Sequence, residues 1–183
     1  MRSALILIDI QNDYFKGGKS ELFNPEQAAK NASEVLNVFR MKGLPILHVQ
    51  HINTRLGATF FIPETSGVEI HQNVFPLPSE KIIIKHAPNS FFETNLQKEL
   101  SKEKINHLVI CGMMSHMCVD TTVRAAKDYQ YEVTVLQDAC TTKDLSWDNH
   151  IIDAQTVHNT FMASLNGMFA KVQTTKVYLI SVK

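Results

Sequence analysis

The sequence predicts an α/β protein with a three-layer, doubly wound (Rossmann-like) open sheet of about six mostly parallel strands, in the order 3-2-1-4-5-6. Short β-branched apolar runs alternate with longer segments of helical spacing, which is typical of strand–helix–strand units. The first run has almost no polar alternation, as expected for a strand buried on both faces. Because no repeat or linker interrupts the chain, residues 1–183 are interpreted as one domain.

The strands are assigned to the short apolar runs. They cover residues 4–10, 45–49, 81–85, 105–111, 131–136 and 169–172. Helices are predicted from residue 25 to Gly43, over 94–102, over 115–129 and from about 150 to 165, and the tail fits either a helix or an edge strand. The connection between the second and third strands is long and rich in glycine and proline, so it is predicted to form a pocket wall.

Helix starts and buried faces can be read from single residues. Asn24 is a candidate N-cap with Pro25 at the first helical position, and Ser115 is a candidate N-cap of the later helix. The predicted buried stripe of the first helix is Ala28, Ala32, Val35, Leu36 and Phe39. That of the helix after Ser115 is Val119, Val123 and Ala126.

Composition and charge exclude several classes of partner. Lys plus Arg and Asp plus Glu are balanced at 18 each, so no overall field recruits nucleic acid or an anionic membrane. The first apolar run is too short to cross a bilayer, and Asp9 interrupts it without a cleavage signal. The 3 cysteines lack C-x-x-C spacing, which fits a reducing compartment. A cytoplasmic protein that acts on a small molecule or binds a protein partner is therefore expected.

Three chemically distinct side chains follow predicted strands. Asp9 ends an apolar run, Lys85 closes another, and Cys118 lies in the first turn of a predicted helix, where backbone N–H groups favour a thiolate. Taken singly, they also fit a capping carboxylate, a solvated strand end and a buried structural cysteine. Carboxyl ends of parallel strands meet at one crevice, so their joint occurrence favours a shared site.

These residues lie in blocks that resemble a known family. Residues 9–18 read D-I-Q-N-D-Y-F-K-G-G, similar to the D-x-Q-x-D-F-x-x-G-G opening of nicotinamidases and isochorismatase-like hydrolases. Lys85 with the later Ser90-Phe91-Phe92, Thr94 and Leu96 resembles their K…S-A-F…T-x-L segment, although Phe91 replaces a small residue. Residues 112–126 match their G-x-x-T/S-x-x-C-V-x-x-T-x-R-x-A block, and residues 138–140 continue it as D-A-x.

The resemblance implies a division of roles. Cys118 would be the nucleophile, Asp9 the proton acceptor and donor, and Lys85 an ammonium that holds both in their charged states. A non-proline cis peptide would join Met113 to Met114. The backbone N–H groups of Met114 and Cys118 would then face a developing oxyanion.

The sequence differs from nicotinamidases at the positions of their metal ligands. These enzymes bind a divalent ion through a D-x-H pair after the second strand and a later histidine. Here the matching region reads H-V-Q-H over residues 48–51, without the aspartate, so His51 and His71 are interpreted as polar loop residues. No metal and no cofactor are expected, and nicotinamide is disfavoured as substrate.

The sequence thus predicts a cysteine-dependent hydrolase that cleaves an amide or carbamoyl-type C–N bond through a thioester. The predicted pocket residues are Gln11, Tyr14, Phe15, Phe91 and Trp147, with Phe60 and Phe61 nearby. One alternative is a vinyl ether hydrolase that uses Asp9 alone; another is a non-catalytic protein that binds a small molecule. A homo-oligomer, dimer or tetramer, is expected from the family resemblance and the exposed aromatic residues.

Overall fold

The computed structural model describes residues 2–182. Its strands are β1 Ser3–Ile8, β2 Ile46–His51, β3 Lys81–Lys85, β4 His107–Met113, β5 Glu132–Thr141, β6 Leu145–Trp147, β7 His150–Ile152 and β8 Lys171–Gln173. Its α-helices are α1 Pro25–Met41, α2 Leu96–Lys102, α3 Asp120–Asp128, α4 Ala154–Leu165 and α5 Thr175–Ser181. Short 3₁₀ turns cover Asn12–Tyr14, Ser66–Val68 and Gln72–Val74, and a π-helical turn covers Ser115–Val119.

The main sheet confirms the predicted fold. Six parallel strands lie in the order β3-β2-β1-β4-β5-β8, so the predicted sixth strand is β8. Strand β1 occupies the centre and is almost wholly buried, which explains its continuous apolar run. The order reverses between β1 and β4, so a crevice forms at the carboxyl ends of these two strands.

Helix α1 covers the sheet with the predicted stripe. All five of its expected apolar residues are buried, as are Val119, Val123 and Ala126 beside α3. Pro25 is the first helical residue, as predicted. Asn24 is the N-cap residue, as predicted, but it has a left-handed conformation (φ 46°) and makes no side-chain capping bond.

Two predicted helices differ in the structure. The segment 115–129 is a π-helical turn followed by α3, and Ser115 lies inside that turn instead of capping it. The helix expected from residue 150 begins at Ala154 because Asp153 caps it, accepting the Thr156 N–H at 2.9 Å. The preceding residues form the antiparallel hairpin β6–β7, whose turn residues Asp148 and Asn149 both have positive φ.

The end of strand β5 and the C-terminal tail were also not fully predicted. Strand β5 runs on to Thr141, past the predicted end at residue 136, with a register shift opposite β4. The tail forms the helix α5. Within residues 2–182, no helix is both long and apolar enough to span a membrane.

One glycine is required where β1 and β4 end side by side. Gly112 has φ +135°, and a Cβ built there would lie 2.1 Å from the carbonyl oxygen of Ile8. Only a residue without a side chain permits this approach. Gly112 therefore brings the end of β4, and the turn that follows it, against the end of β1.

Candidate active site

Asp9, Lys85 and Cys118 converge at the carboxyl ends of the strands. The Lys85 Nζ lies 2.7 Å from Oδ2 of Asp9 and 3.2 Å from Sγ of Cys118. Asp9 and Lys85 are fully buried and Cys118 is 3% exposed. The structure thus brings together the three side chains that the sequence pattern grouped.

Each of these residues is held by a different piece of backbone. Asp9 follows β1 in a left-handed conformation (φ 51°), which Asp tolerates better than most residues, and its N–H bonds the carbonyl of Val49 at 3.0 Å. Lys85 is the last residue of β3. Cys118 lies in the π-helical turn, where the Met114 carbonyl accepts N–H groups of Met117 and Val119 at 3.0 and 3.2 Å.

The ammonium group of Lys85 is the centre of the cluster. Besides its ion pair with Asp9 and its contact with Cys118, its Nζ lies 3.1 Å from the carbonyl oxygen of Ala87 and 3.1 Å from Nδ1 of His51. An ammonium has three N–H donors and no acceptor, so all of these groups present lone pairs to it. Lys85 is therefore the electrostatic anchor of the site.

The protonation states follow from burial and from this anchor. Burial alone would raise the pKa of Asp9, but the Lys85 ammonium opposes it, and the pKa is lowered. Burial would lower the pKa of Lys85, but Asp9 and Cys118 raise it. The pKa of Cys118 is raised by burial and by Asp9, with Lys85 opposing them. The resting site thus holds a carboxylate, an ammonium and a protonated thiol.

The raised pKa of Cys118 runs against the expectation that the helix N-terminus and Lys85 hold a resting thiolate. The structure offers a nearby base instead. A carboxylate oxygen of Asp9 and the Cys118 sulfur lie within 4.8 Å of each other. Oδ2 of Asp9 faces the Lys85 ammonium, whereas Oδ1 has no hydrogen-bond partner within the described residues and keeps its lone pairs free to take a proton. The geometry permits proton transfer from the thiol to Asp9.

The predicted oxyanion turn has the expected backbone. A cis peptide bond joins Met113 to Met114, as the resemblance implied. Ser115, the next residue, contacts Nδ1 of His158 in α4 through its hydroxyl at 2.8 Å. His158 was missed by the sequence analysis because no local signal links it to residue 115.

Two further residues of the first motif block have structural roles. The Gln11 amide is fully buried and bonds the N–H and the carbonyl of His51 and the carbonyl of Val68, at 2.7–2.9 Å. Its prediction as a pocket residue is wrong, because its amide is committed to backbone groups. Asp13 accepts the N–H groups of Phe61 and Lys19 at 2.6 and 3.1 Å, and so ties the long connection to the first motif block.

The predicted aromatic pocket residues separate into two groups. Tyr14 adjoins the triad: burial, then Cys118 and Asp9, raise its pKa. Phe15 is buried and stacks on the ring of His71 at 3.6 Å between centroids. Of the other two nearby aromatics, Phe61 packs on Tyr14 at 4.6 Å, edge to face, and Phe60 packs on Phe61 at 4.9 Å. Tyr14, Phe60 and Phe61 form an aromatic wall beside the site.

Phe91 lies elsewhere, so its prediction as a pocket residue is wrong, whereas that of Trp147 stays a prediction. Phe91 packs on the rings of Tyr129 and Tyr131, which precede β5 and so lie at the amino edge of the sheet. Trp147 is 77% exposed on the β6–β7 hairpin. Local sequence could not reveal either placement, because both depend on how distant segments pack.

The donors at the site do not fit a divalent metal. Within residues 2–182, the group that could supply ligands is Asp9, His51 and Cys118, and His71 is not part of it. The lone pairs of these three residues face the Lys85 ammonium, so an ion held among them would meet a fixed positive charge. His71 uses its Nδ1 to accept the Asn73 N–H at 3.4 Å. A metal would therefore have to displace the ammonium.

Comparisons with known proteins identify the family of the chain. A protein of Bacillus subtilis described as the uncharacterized isochorismatase family protein YddQ is 52% identical over 179 residues, covering 98% of this chain and 99% of that protein. A solved structure from Oleispira antarctica, assigned to the isochorismatase hydrolases, is 41% identical with a TM-score of 0.95. It covers 98% of this chain and 96% of its own.

More distant relatives carry the names of specific hydrolases. A streptothricin hydrolase of Streptomyces noursei is 30% identical over 78% of this chain and 50% of its own length. A ureidoacrylate amidohydrolase of Variovorax paradoxus is 26% identical over 75% of this chain and 68% of its own length. The family model described as the isochorismatase domain matches residues 3–177. The chain therefore belongs to the isochorismatase family and is a hydrolase of that family.

Proposed function

We propose that this chain is a cysteine hydrolase that cleaves an amide or carbamoyl-type C–N bond of a small molecule through a thioester. One observation carries the proposal: the Cys118 sulfur lies 3.2 Å from a buried ammonium and within 4.8 Å of a carboxylate oxygen of Asp9. Nucleophile, base and fixed positive charge are the parts that covalent catalysis by a thiol needs. The amidohydrolase name of one relative supports the choice of bond.

The first half of the reaction forms the thioester. Asp9 takes the thiol proton while the Cys118 sulfur attacks the carbonyl carbon of the substrate. Lys85 stabilises the thiolate during this transfer, because its ammonium touches the sulfur and remains charged. The N–H groups of Met114 and Cys118 bind the oxyanion. As the C–N bond breaks, Asp9 returns its proton to the departing nitrogen.

The second half hydrolyses the thioester. Asp9, again a carboxylate, takes a proton from a water molecule that attacks the acyl carbon, and the sulfur leaves as a thiolate that regains the proton. Enclosure of the triad favours a small substrate, since all three side chains are buried. The aromatic wall formed by Tyr14, Phe60 and Phe61 favours a flat or apolar one.

Ammonia release from a panel of small amides and carbamates tests the proposal. Cys118→Ala should lose turnover on any accepted amide, and an acyl adduct should be found on Cys118 by mass spectrometry of the wild type. Cys111→Ala removes another buried thiol and is the matched control for folding and activity. Wild-type-like turnover in Cys118→Ala would reject the cysteine mechanism.

The same experiment separates the alternatives. Hydrolysis of isochorismate that survives Cys118→Ala but is lost in Asp9→Asn would identify a vinyl ether hydrolase. Tight binding of panel compounds without turnover or an acyl adduct would identify a binding protein on this fold.

A further inference from the structure

His51 is a fourth side chain at the site, and the proposed reaction does not use it. It is paired in register with Lys85 across the parallel strands β2 and β3, which places both at the carboxyl edge of the sheet. Its Nδ1 lies 3.1 Å from Nζ of Lys85 and 3.8 Å from Oδ2 of Asp9. His51 therefore touches the ion pair directly.

Contact with an ammonium determines which ring nitrogen carries the proton. Lys85 can only donate, so Nδ1 of His51 accepts, and a neutral ring then holds its proton on Nε2. Within residues 2–182, Nε2 makes no hydrogen bond. The ring thus presents a free N–H donor on the side opposite Lys85.

The free edge of the ring is also the most open part of the cluster. The His51 side chain is 14% exposed, whereas those of Asp9 and Lys85 are fully buried. A ring nitrogen of His51 lies within 4.8 Å of the Cys118 sulfur. A molecule that reaches the sulfur would therefore lie beside the His51 ring.

The chain holds His51 rigidly in that position. The Gln11 side chain accepts the His51 N–H at 2.8 Å and donates to the His51 carbonyl at 2.9 Å. The ring lies against Phe61 with centroids 5.9 Å apart. A buried amide clamped on both backbone groups of one residue is well suited to fixing a ring that contacts a ligand.

We propose that His51 is a substrate-binding residue whose Nε2–H donates to a second acceptor on the substrate, beyond the carbonyl that Cys118 attacks. This inference rests on the proposed function and narrows its substrate class. The preferred substrate is a small amide that carries another carbonyl, carboxylate or ring nitrogen close to the scissile bond. Simple alkyl amides lack that group, so the site discriminates against them.

Two isosteric amides test this preference. Malonamide carries a second carbonyl, and isovaleramide has a methyl-branched carbon in its place. We expect the wild type to favour malonamide by about 10- to 100-fold in kcat/KM, since a site that donates to a substrate group rejects an analogue lacking it. In His51→Asn, whose shorter amide can still accept from Lys85 but cannot reach outward, this preference should disappear.

A second variant, His51→Gln, and the alkylation rate of Cys118 distinguish a role of His51 in substrate binding from a merely structural role. His51→Gln places an amide near the former Nε2 and should recover part of the preference. In both variants, the rate of Cys118 alkylation by iodoacetamide should stay within about two-fold of wild type, if Lys85 and Asp9 are undisturbed. An equal loss on both amides, or a retained preference in His51→Asn, would overturn the inference.

The role of His51 can also be tested if the protein does not catalyse the proposed reaction. If neither amide is hydrolysed, the pair is compared as ligands that protect Cys118 from iodoacetamide. Stronger protection by malonamide that is lost in His51→Asn supports the role of His51 without catalysis. Equal or absent protection by both amides overturns it.

Discussion

Asp9 and Lys85 form an ion pair 2.7 Å long in which both side chains are fully shielded from solvent. The pKa of Asp9 is lowered and that of Lys85 is raised, because each charge favours the charged form of the other against the cost of burial. A buried charge left without its partner is much more costly than an exposed one. Stability and chemistry therefore depend on the same two residues.

Lys85→Met should lower the free energy of unfolding by about 3–5 kcal/mol, the usual cost of stranding one member of a buried pair. Chemical denaturation measured at neutral pH tests this value. Arg2→Met is the matched control, since Arg2 pairs with Glu103 on the exposed surface. Its effect should stay below about 1 kcal/mol. Equal effects of the two substitutions would contradict the buried pair.

The reactivity of Cys118 should depend on pH in a defined direction. Its pKa is raised by burial and by Asp9, so the free thiol should react slowly with iodoacetamide at neutral pH. The rate should still be rising at the ordinary cysteine pKa of about 8.5. Mass spectrometry of the Cys118 peptide across a pH series measures this. A plateau reached below about pH 7 would instead indicate a resting thiolate.

Asp9 should set the acidic limit of turnover. Its pKa is lowered, so it remains a carboxylate down to pH values below the ordinary Asp pKa of about 3.9. Its share of stability is present above that value and is lost as the pH falls through the folded-state pKa. Activity that declines already near pH 6 would therefore be assigned to a group other than Asp9.

The strand ends were predictable because a polar residue that closes an apolar run is a strong local signal. Asp9 and Lys85 stand out on that basis, and parallel strands bring their carboxyl ends together. The contact of His51 with Lys85 was not predicted, since it depends on the register between β2 and β3. That register could be inferred only after the strand order was known.

The errors have a common physical origin. Gln11 was read as a pocket residue from its place in the motif, but its amide bonds backbone groups about 40 and 57 residues away, and such partners leave no local pattern. The β6–β7 hairpin was merged with the following helix, since its 3-residue strands are too short to show a clear alternation. Tertiary contacts decided both cases.

Gly112→Ala should destabilise the protein far more than an alanine at another left-handed glycine. A methyl group there would lie 2.1 Å from the Ile8 carbonyl, so β1 or β4 must move. Gly57→Ala is the control, because Gly57 has φ +80° but nothing within 4 Å of the added carbon. The control should cost about 1–2 kcal/mol from conformation alone.

Thermal unfolding of both variants measures the difference. Where Gly112→Ala does not yield folded protein while Gly57→Ala does, the comparison still supports the close approach. Similar melting temperatures for the two variants would show that the ends of β1 and β4 can separate at little cost.

Self-association remains a prediction, and the β6–β7 hairpin is the surface on which it can be tested. Trp147, Leu145 and Ile152 share one face of this hairpin, and Trp147 is 77% exposed. An isolated two-stranded hairpin is marginally stable in water, so an apolar partner would stabilise it. A second copy of the chain is the expected partner, because equal numbers of acidic and basic residues leave no net charge to keep copies apart.

We expect sedimentation to show a dimer or tetramer that Trp147→Ser weakens by about 30-fold or more, as for a central aromatic contact. Leu56→Ser, at a fully exposed leucine in the long connection, is the control and should not change the mass. Trp147 is the only tryptophan, so its fluorescence should shift to the red as the wild type is diluted. A wild type that is monomeric at all concentrations, with constant emission, would show that the hairpin does not join copies, because an exposed indole that meets no partner keeps its contact with water.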